Sequence, residues 1–228
     1  MGKIIVLIAY LVYGLFCFRF LLQVFLWYRA ARQQTFSNVG SGKISPGMFI
    51  AAALDVIFFR RLFSTNKLLW AASWTFHLSF LIVFLRHLRY VFNPVPDVII
   101  FMQPAGVVAG YVLTCSLFLI LIMRMVGNKD RYVSYYNFFL IGVLLTLSLT
   151  GLLMRIYFQA DLIDVKDFIT GILVFKPDAL PDSLMFVTHF LLALLLIAFI
   201  PFHLFAAPIV SMEARKREEG LGMILHEK

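Results

Sequence analysis

The sequence predicts an all-α integral membrane protein with five transmembrane helices, N-terminus outside and C-terminus in the cytoplasm. Three observations carry that expectation. Hydrophobic residues make up 62% of the 228 positions and charged residues only 14%, well outside the usage of water-soluble domains. Five stretches stay apolar for the roughly 20 residues that a bilayer crossing requires. Lysine and arginine are divided unequally between the two sets of connections.

The first span is expected at residues 3–28. It is too long for the apolar region of a cleaved signal, it carries Arg19 and Gln23, and no small-residue cleavage site follows it, so it is read as a retained helix. Next comes a polar segment, "RQQTFSNVGSGKISPG", and then "MFIAAALDVIFFRR". The second stretch is too short to span and ends in a basic pair, so an interfacial helix is expected at 47–60. Spans two and three are expected at 68–91 and 98–123, and a tight basic turn around Gly127 and Asn128 leads to span four at 133–158. The connection 159–182 is long and includes "FITGILVF", an apolar patch suited to lying on the membrane surface. Span five is expected at 183–210, followed by a tail at 211–228. No internal repeat or low-complexity tract interrupts the chain, and 1–228 is read as a single membrane domain.

Orientation follows from the positive charges. Arg29, Arg32, Lys43, Arg60, Arg61 and Lys67 share one face with Arg124, Lys129, Arg131, Arg215, Lys216, Arg217 and Lys228. Lys3, Arg86, Arg89, Arg155, Lys166 and Lys176 share the other with Asp161, Asp164, Asp167, Asp178 and Asp182. The richer face is expected in the cytoplasm, which places the chain in the inner (cytoplasmic) membrane. The net charge of +8 is accounted for by topology and anionic lipid, so nucleic acid is not implied.

Cysteine excludes two chemistries. Cys17 and Cys115 both lie in apolar spans and neither belongs to a C-x-x-C-H sequence. Covalent c-type haem attachment is therefore ruled out, and a thiolate metal site is not indicated.

Of five histidines, four fall in just two spans: His77 and His87 in span two, within "WTFHLSFLIVFLRHL", and His189 and His203 in span five. Ionisable groups inside a bilayer are costly and face a partner or a cavity. Spans two and five run antiparallel, so His77 comes level with His203 nearer the cytoplasm and His87 with His189 nearer the outer face. Ten residues along a helix rise about 15 Å and fourteen about 21 Å, and both steps return to one broad face. Pro201, two residues before His203, can kink its helix and absorb part of the mismatch.

Two imidazoles per level are too few for a structural zinc, which takes four ligands. They match a haem, which supplies four nitrogens of its own and takes two axial ligands. Two b-type haems stacked across the membrane are therefore expected, with the four histidines ligating iron. Arg86, Arg89 and Arg155 at the outer ends are candidates for pairing with haem propionates, and snorkelling to headgroups explains any of them almost as well. Gly106, Gly110, Gly142 and Gly151 offer room for a haem face or for ordinary close helix packing. The competing function is a haem-free membrane anchor, or a proton-relay or transport protein that uses the same histidines. His226 in the tail is assigned no role.

With histidines ten apart in span two and two more in span five, the chain resembles the gamma subunit of respiratory nitrate reductase. It resembles more closely the membrane cytochrome b subunits of the Dsr and Hmc complexes of sulfate respiration and the membrane subunit of heterodisulfide reductase. The preference rests on "LDVIFFRRLFSTNKLLW" and "FVTHFLLALLLIAFIPFHLFAAP". The resemblance implies an electron-transfer subunit of a quinol-linked oxidoreductase in anaerobic respiration. Menaquinol or menaquinone would react near the outer haem, and the inner haem would face a cytoplasmic iron-sulfur, heterodisulfide reductase-like subunit. A periplasmic multi-haem cytochrome c and other membrane subunits are further implied partners. The nitrate reductase anchors carry a lysine near the start of helix three, whereas "VFNPVPDVIIFMQP" has none. Gln103 and Asp97 are the candidates to replace it in a quinone pocket.

Overall fold

A computed structural model of the chain describes residues 2–34, 46–126 and 135–201. Among the described residues all regular structure is helical. The helices are α1 (Gly2–Gln34), α2 (Pro46–Phe58), α3 (Arg60–Thr65), α4 (Lys67–His87), α5 (Asp97–Phe101), α6 (Gln103–Val126), α7 (Tyr135–Ile156), α8 (Leu162–Leu173) and α9 (Leu184–Pro201), with a 3-10 turn at Leu88–Tyr90 after α4. Five of them, α1, α4, α6, α7 and α9, are long and apolar enough to cross a bilayer, so the protein is a multi-pass helical membrane protein. In hydrocarbon every backbone group must be paired within the segment, which is why the spans are unbroken helices.

The apolar stretch expected as one helix at 98–123 is divided. Met102 is a turn between α5 and α6, and Pro104 sits in the first turn of α6, where its missing N–H removes no helix bond. Continued backward, the same ring would clash with the carbonyl four residues earlier. Gly106 N–H still donates to the Met102 carbonyl at 2.8 Å.

By its contacts the chain forms two units. One comprises Met1–Leu11 with Lys67–Leu196, the other Val12–Asn66 with Ile197–Lys228. In the first, α6 lies against α4 and α7. Leu117 of α6 is 1% exposed, and Ala72, Ile120 and Ile141 join α4, α6 and α7 in one cluster. Buried hydroxyls of α6 are satisfied by their own helix, Thr114 donating to the Gly110 carbonyl at 3.0 Å and Ser116 to that of Leu113 at 2.9 Å, as hydroxyls deprived of water must be.

The connection after α7 folds into α8, an amphipathic helix. Asp161 caps it by accepting from the N–H groups of Ile163 (2.7 Å) and Asp164 (3.3 Å). Its apolar face buries Phe168 completely, against Ile5 and Val6 of α1 and Phe186 of α9. At its end Phe175 takes a left-handed conformation, φ 59°, and stacks on Tyr10 with ring centres 5.3 Å apart. Gly171 lets the chain turn back there, since a Cβ would stand 2.6 Å from the Lys176 carbonyl oxygen.

In the second unit, α2 ends where Phe59 adopts φ 49° and α3 begins at a new angle. The buried Asp55 approaches the Arg61 guanidinium at 4.0 Å across this break. In the same unit Arg19 donates to the Ala198 carbonyl at 3.1 Å, a polar anchor for a charge that the bilayer would otherwise strand.

Candidate functional site: a histidine pair between α4 and α9

His87 ends α4 and His189 lies in the second turn of α9. Their rings are 10° from parallel with centres 6.3 Å apart, within the roughly 4.5–7 Å between centres of offset-stacked aromatic pairs. The two imidazoles are close enough for one metal ion, about 2.0–2.1 Å from a nitrogen of each, to be held between them.

Hydrogen bonding sets which nitrogen is available. His87 Nδ1 lies 2.7 Å from the Val83 carbonyl. A carbonyl only accepts, so Nδ1 carries the proton and Nε2 the lone pair. His77 repeats the arrangement one level away, Nδ1 donating to the Ser73 carbonyl at 2.7 Å, with its ring edge-on to Phe76 at 4.7 Å. His189 is handled by a neighbouring helix. The Thr150 hydroxyl of α7 donates its single hydrogen to the Leu147 carbonyl at 2.9 Å and stands 3.0 Å from His189 Nδ1. Having no second hydrogen, it accepts from Nδ1–H, and Nε2 of His189 again keeps its lone pair. Orientation of a ligating imidazole through its other nitrogen is how proteins hold such ligands.

Gly151, next to Thr150, makes room for the same ring. A Cβ there would lie 3.1 Å from His189 Cε1. Sequence reading offered Gly151 as clearance for a haem face or as ordinary close helix packing, and in the structure the His189 ring of α9 packs against it. Thr150 drew no notice in the sequence, where the sole trace was a Thr-Gly pair in an apolar helix. Gly106 accommodates the stem of Arg86, whose Cγ would be 3.0 Å from an added Cβ, while Gly142 faces open space.

The remaining predicted residues are spread along the same end of this unit. Arg86 donates to the Ile99 carbonyl at 2.9 Å and to Gln103 Oε1 at 3.2 Å, which fastens α4 to α5 and α6. Arg89 lies over the Tyr90 ring at 4.8 Å. Arg155 and Gln103 line a shallow hollow of about 640 Å³ with Ile100, Phe101, Pro104 and Val107. Asp97 opens α5 at the surface and does not line that hollow. A second hollow, about 760 Å³, lies among the ends of α7, α8 and α9 and reaches Thr150 and Thr188. His203, with the tail beyond it, lies outside the described residues, as do residues 35–45 and 127–134 of the basic connections. Among the described residues no group of three or more His, Cys, Asp or Glu gathers into a metal site built from side chains alone. The donor set offered is thus a pair of imidazoles, which a metal could use only if its other ligands came from elsewhere, as in a porphyrin.

Fold and pair together define a class: a multi-pass helical membrane protein presenting two neighbouring imidazoles, one on each of two of its helices. Comparison with known proteins narrows it. The chain is 27% identical over 177 residues to the Hdr-like menaquinol oxidoreductase cytochrome b-like subunit of Archaeoglobus fulgidus, a match covering 65% of this chain and 53% of the relative. It is 29% identical over 184 residues to the protein of the same name from Archaeoglobus profundus, covering 68% and 54%. The chain thus spans about half the length of the curated relatives it matches. These names agree with the resemblance to heterodisulfide reductase-type membrane cytochromes b drawn from the histidines and their flanks. No family model matches the chain, and no solved structure matches it.

Proposed function

We propose that this chain is a di-haem b membrane subunit of a respiratory redox complex, passing electrons between menaquinol or menaquinone near the outer face and a cytoplasmic iron-sulfur subunit. The observation that carries the reading is the His87/His189 pair, with rings near parallel and 6.3 Å apart and with both Nδ1 atoms committed to oxygen acceptors. In this reading His87 and His189 hold the outer haem and His77 and His203 the inner one, with the N-terminus outside. Ten residues of α4 put about 15 Å between the two levels. The names of the Archaeoglobus proteins, cytochrome b-like subunits of a menaquinol oxidoreductase, support a membrane cytochrome b reading of the chain.

A bound haem supplies one-electron exchange at iron, and that chemistry belongs to the cofactor. The chain's own part is placement and charge. Thr150 and Val83 hold the two imidazoles in the ligating tautomer, Gly151 leaves His189 its space, and Arg86, Arg89 and Arg155 give the outer end positive charge for propionates. Oxidation of a quinol to its quinone releases two electrons and two protons. Haems held by His87 and His189 and by His77 and His203 would supply the one-electron carriers such an oxidation needs, and the protons would leave to the outer side. The basic segment 29–67 and the tail 211–228 are the proposed docking surfaces for the cytoplasmic partner. The proton-relay and anchor alternatives account less well for His87, whose one proton is given to its own helix.

A reduced-minus-oxidised optical spectrum of the purified chain, with a haem-to-protein ratio, tests the proposal. Two b-type haems per chain are expected. Absence of b-type bands after adequate haem supply would refute it.

A further inference from the structure

Three guanidinium groups, those of Arg86, Arg89 and Arg155, gather at the end of the first unit that holds the α5–α6 turn. Arg89 and Arg155 both repel Arg86, and among the described residues no carboxylate acts on it. Two of the three are already engaged. Arg86 donates to the Ile99 carbonyl and to Gln103 Oε1, and Arg89 lies over the Tyr90 ring. The Arg155 guanidinium has no hydrogen-bond acceptor among the described residues, the one bond at this residue being accepted by its carbonyl from Gln159. It lines the hollow of about 640 Å³.

Gln103 gives that hollow a second donor. Arg86 has only hydrogens to offer, so the amide atom facing it is Oε1, and Nε2 of Gln103 keeps its two hydrogens for another partner. No carboxylate lines the hollow. A polar lining of donors, one of them charged, selects an anion that only accepts, and the planar guanidinium matches the paired oxygens of a phosphate. A head group that also carried an ammonium would find nothing there to pair with it. The remaining wall, Ile100, Phe101, Pro104 and Val107, is apolar, and Phe101 is 87% exposed. From this wall an exposed apolar stripe runs along α6 through Val108, Tyr111, Phe118 and Ile122, whose spacings of three, seven and four keep to one helix face. A free phosphate uses none of that surface. A phosphate bearing hydrocarbon chains uses all of it.

We propose that the hollow bounded by Arg155, Gln103, Ile100, Phe101, Pro104 and Val107 holds the phosphodiester head of one anionic membrane lipid of the phosphoglycerol kind, its chains laid along the α6 stripe. Arg155 then bonds the lipid phosphate and leaves haem propionates to Arg86 and Arg89. The assignment stands on this hollow and does not depend on the haem reading.

The full chain, purified in detergent and stripped of bound lipid, is titrated with dioleoylphosphatidylglycerol and separately with dioleoylphosphatidylcholine, and native mass spectrometry counts lipid per chain. One phosphatidylglycerol is expected to bind about tenfold or more tighter than phosphatidylcholine. Arg155→Gln removes the charge, and Val107→Trp fills the hollow while leaving every charge in place. Each is expected to weaken that binding by about fivefold or more, the worth of one cation beside an anionic head, with thermal unfolding unchanged. Lys176→Gln, a cation that does not line the hollow, is expected to stay within twofold. Equal affinity for the two lipids, parental affinity in a folded R155Q or V107W, or as large a loss in K176Q overturns the proposal. Glycerol phosphate, the head without its chains, is expected not to displace the lipid, and displacement at a concentration comparable to the lipid's assigns the hollow to a soluble phosphate instead. Haem per chain in R155Q should equal the parent's. Haem loss with phosphatidylglycerol binding unchanged returns Arg155 to the propionates and overturns the proposal. If the parent chain carries no haem, the electron-transfer reading fails, and the lipid titration still decides what this hollow holds.

Discussion

Replacement of Thr150 by valine isolates what α7 does for the histidine pair. Thr150 is 8% exposed, valine has nearly its shape, and the packing of α7 is retained. What disappears is the acceptor 3.0 Å from His189 Nδ1. The Nδ1–H is left with the Leu147 carbonyl alone, and one hydrogen bond is worth about 0.5–1.5 kcal/mol, or about 2- to 13-fold in the affinity of the site that needs this tautomer. Loss of such an outer partner typically weakens a metal site about 10- to 100-fold, which meets that range near tenfold. The bond to Thr150 also makes Nε2 a stronger donor, which favours the more positive oxidised iron. A tenfold loss of that preference raises a one-electron midpoint potential by about 59 mV. Redox titration of T150V, with haem counted per chain, should therefore show the outer haem at higher potential and partly lost at limiting haem, the inner haem unmoved. Thr150→Ser, which restores the acceptor, should return both values. An outer-haem potential and occupancy in T150V equal to the parent's, or an equal change at both haems, would refute the role given to Thr150.

Other perturbations follow from the same geometry. His87→Ala should leave one haem per chain and abolish naphthoquinol-driven reduction, as counted by haem extraction and stopped-flow spectroscopy. Loss of the inner haem instead would overturn the pairing. Arg86→Gln removes positive charge at the outer end and should lower the outer-haem potential while leaving two haems per chain, a change that redox titration reads directly. Phe168→Ala empties a side chain that is 0% exposed at the junction of α1, α8 and α9. It should destabilise that junction by about 3–5 kcal/mol, seen as earlier thermal unfolding in detergent and faster proteolysis within 159–182.

Local properties of the chain were legible from its letters. The spans are read from hydropathy because a bilayer crossing depends on the residues of that segment alone. The break at Met102 lay inside an apolar run whose hydropathy does not change there. Pro104 was its only marker, and a proline of that kind is equally at home in a helix's first turn. The level of each histidine was likewise open to counting, since antiparallel helices with a fixed rise make sequence separation a measure of depth. The proximity of His87 to His189 is of that kind.

Thr150 and Gly151 are not. They belong to a helix that carries no histidine, and their importance arises only when α7 lies beside α9 at the right rotation, which no periodicity within either segment encodes. Arg86 shows the same division. Its charge and place at a helix end were visible, but its bonds to Ile99 and Gln103 required the turn at Met102 that brings those acceptors round. Sequence by itself determined how many helices are long and apolar enough to cross, because burial in lipid is a property of one segment at a time. Only the tertiary structure decided what meets Nδ1 of His189, because that depends on Thr150, which another helix brings to 3.0 Å.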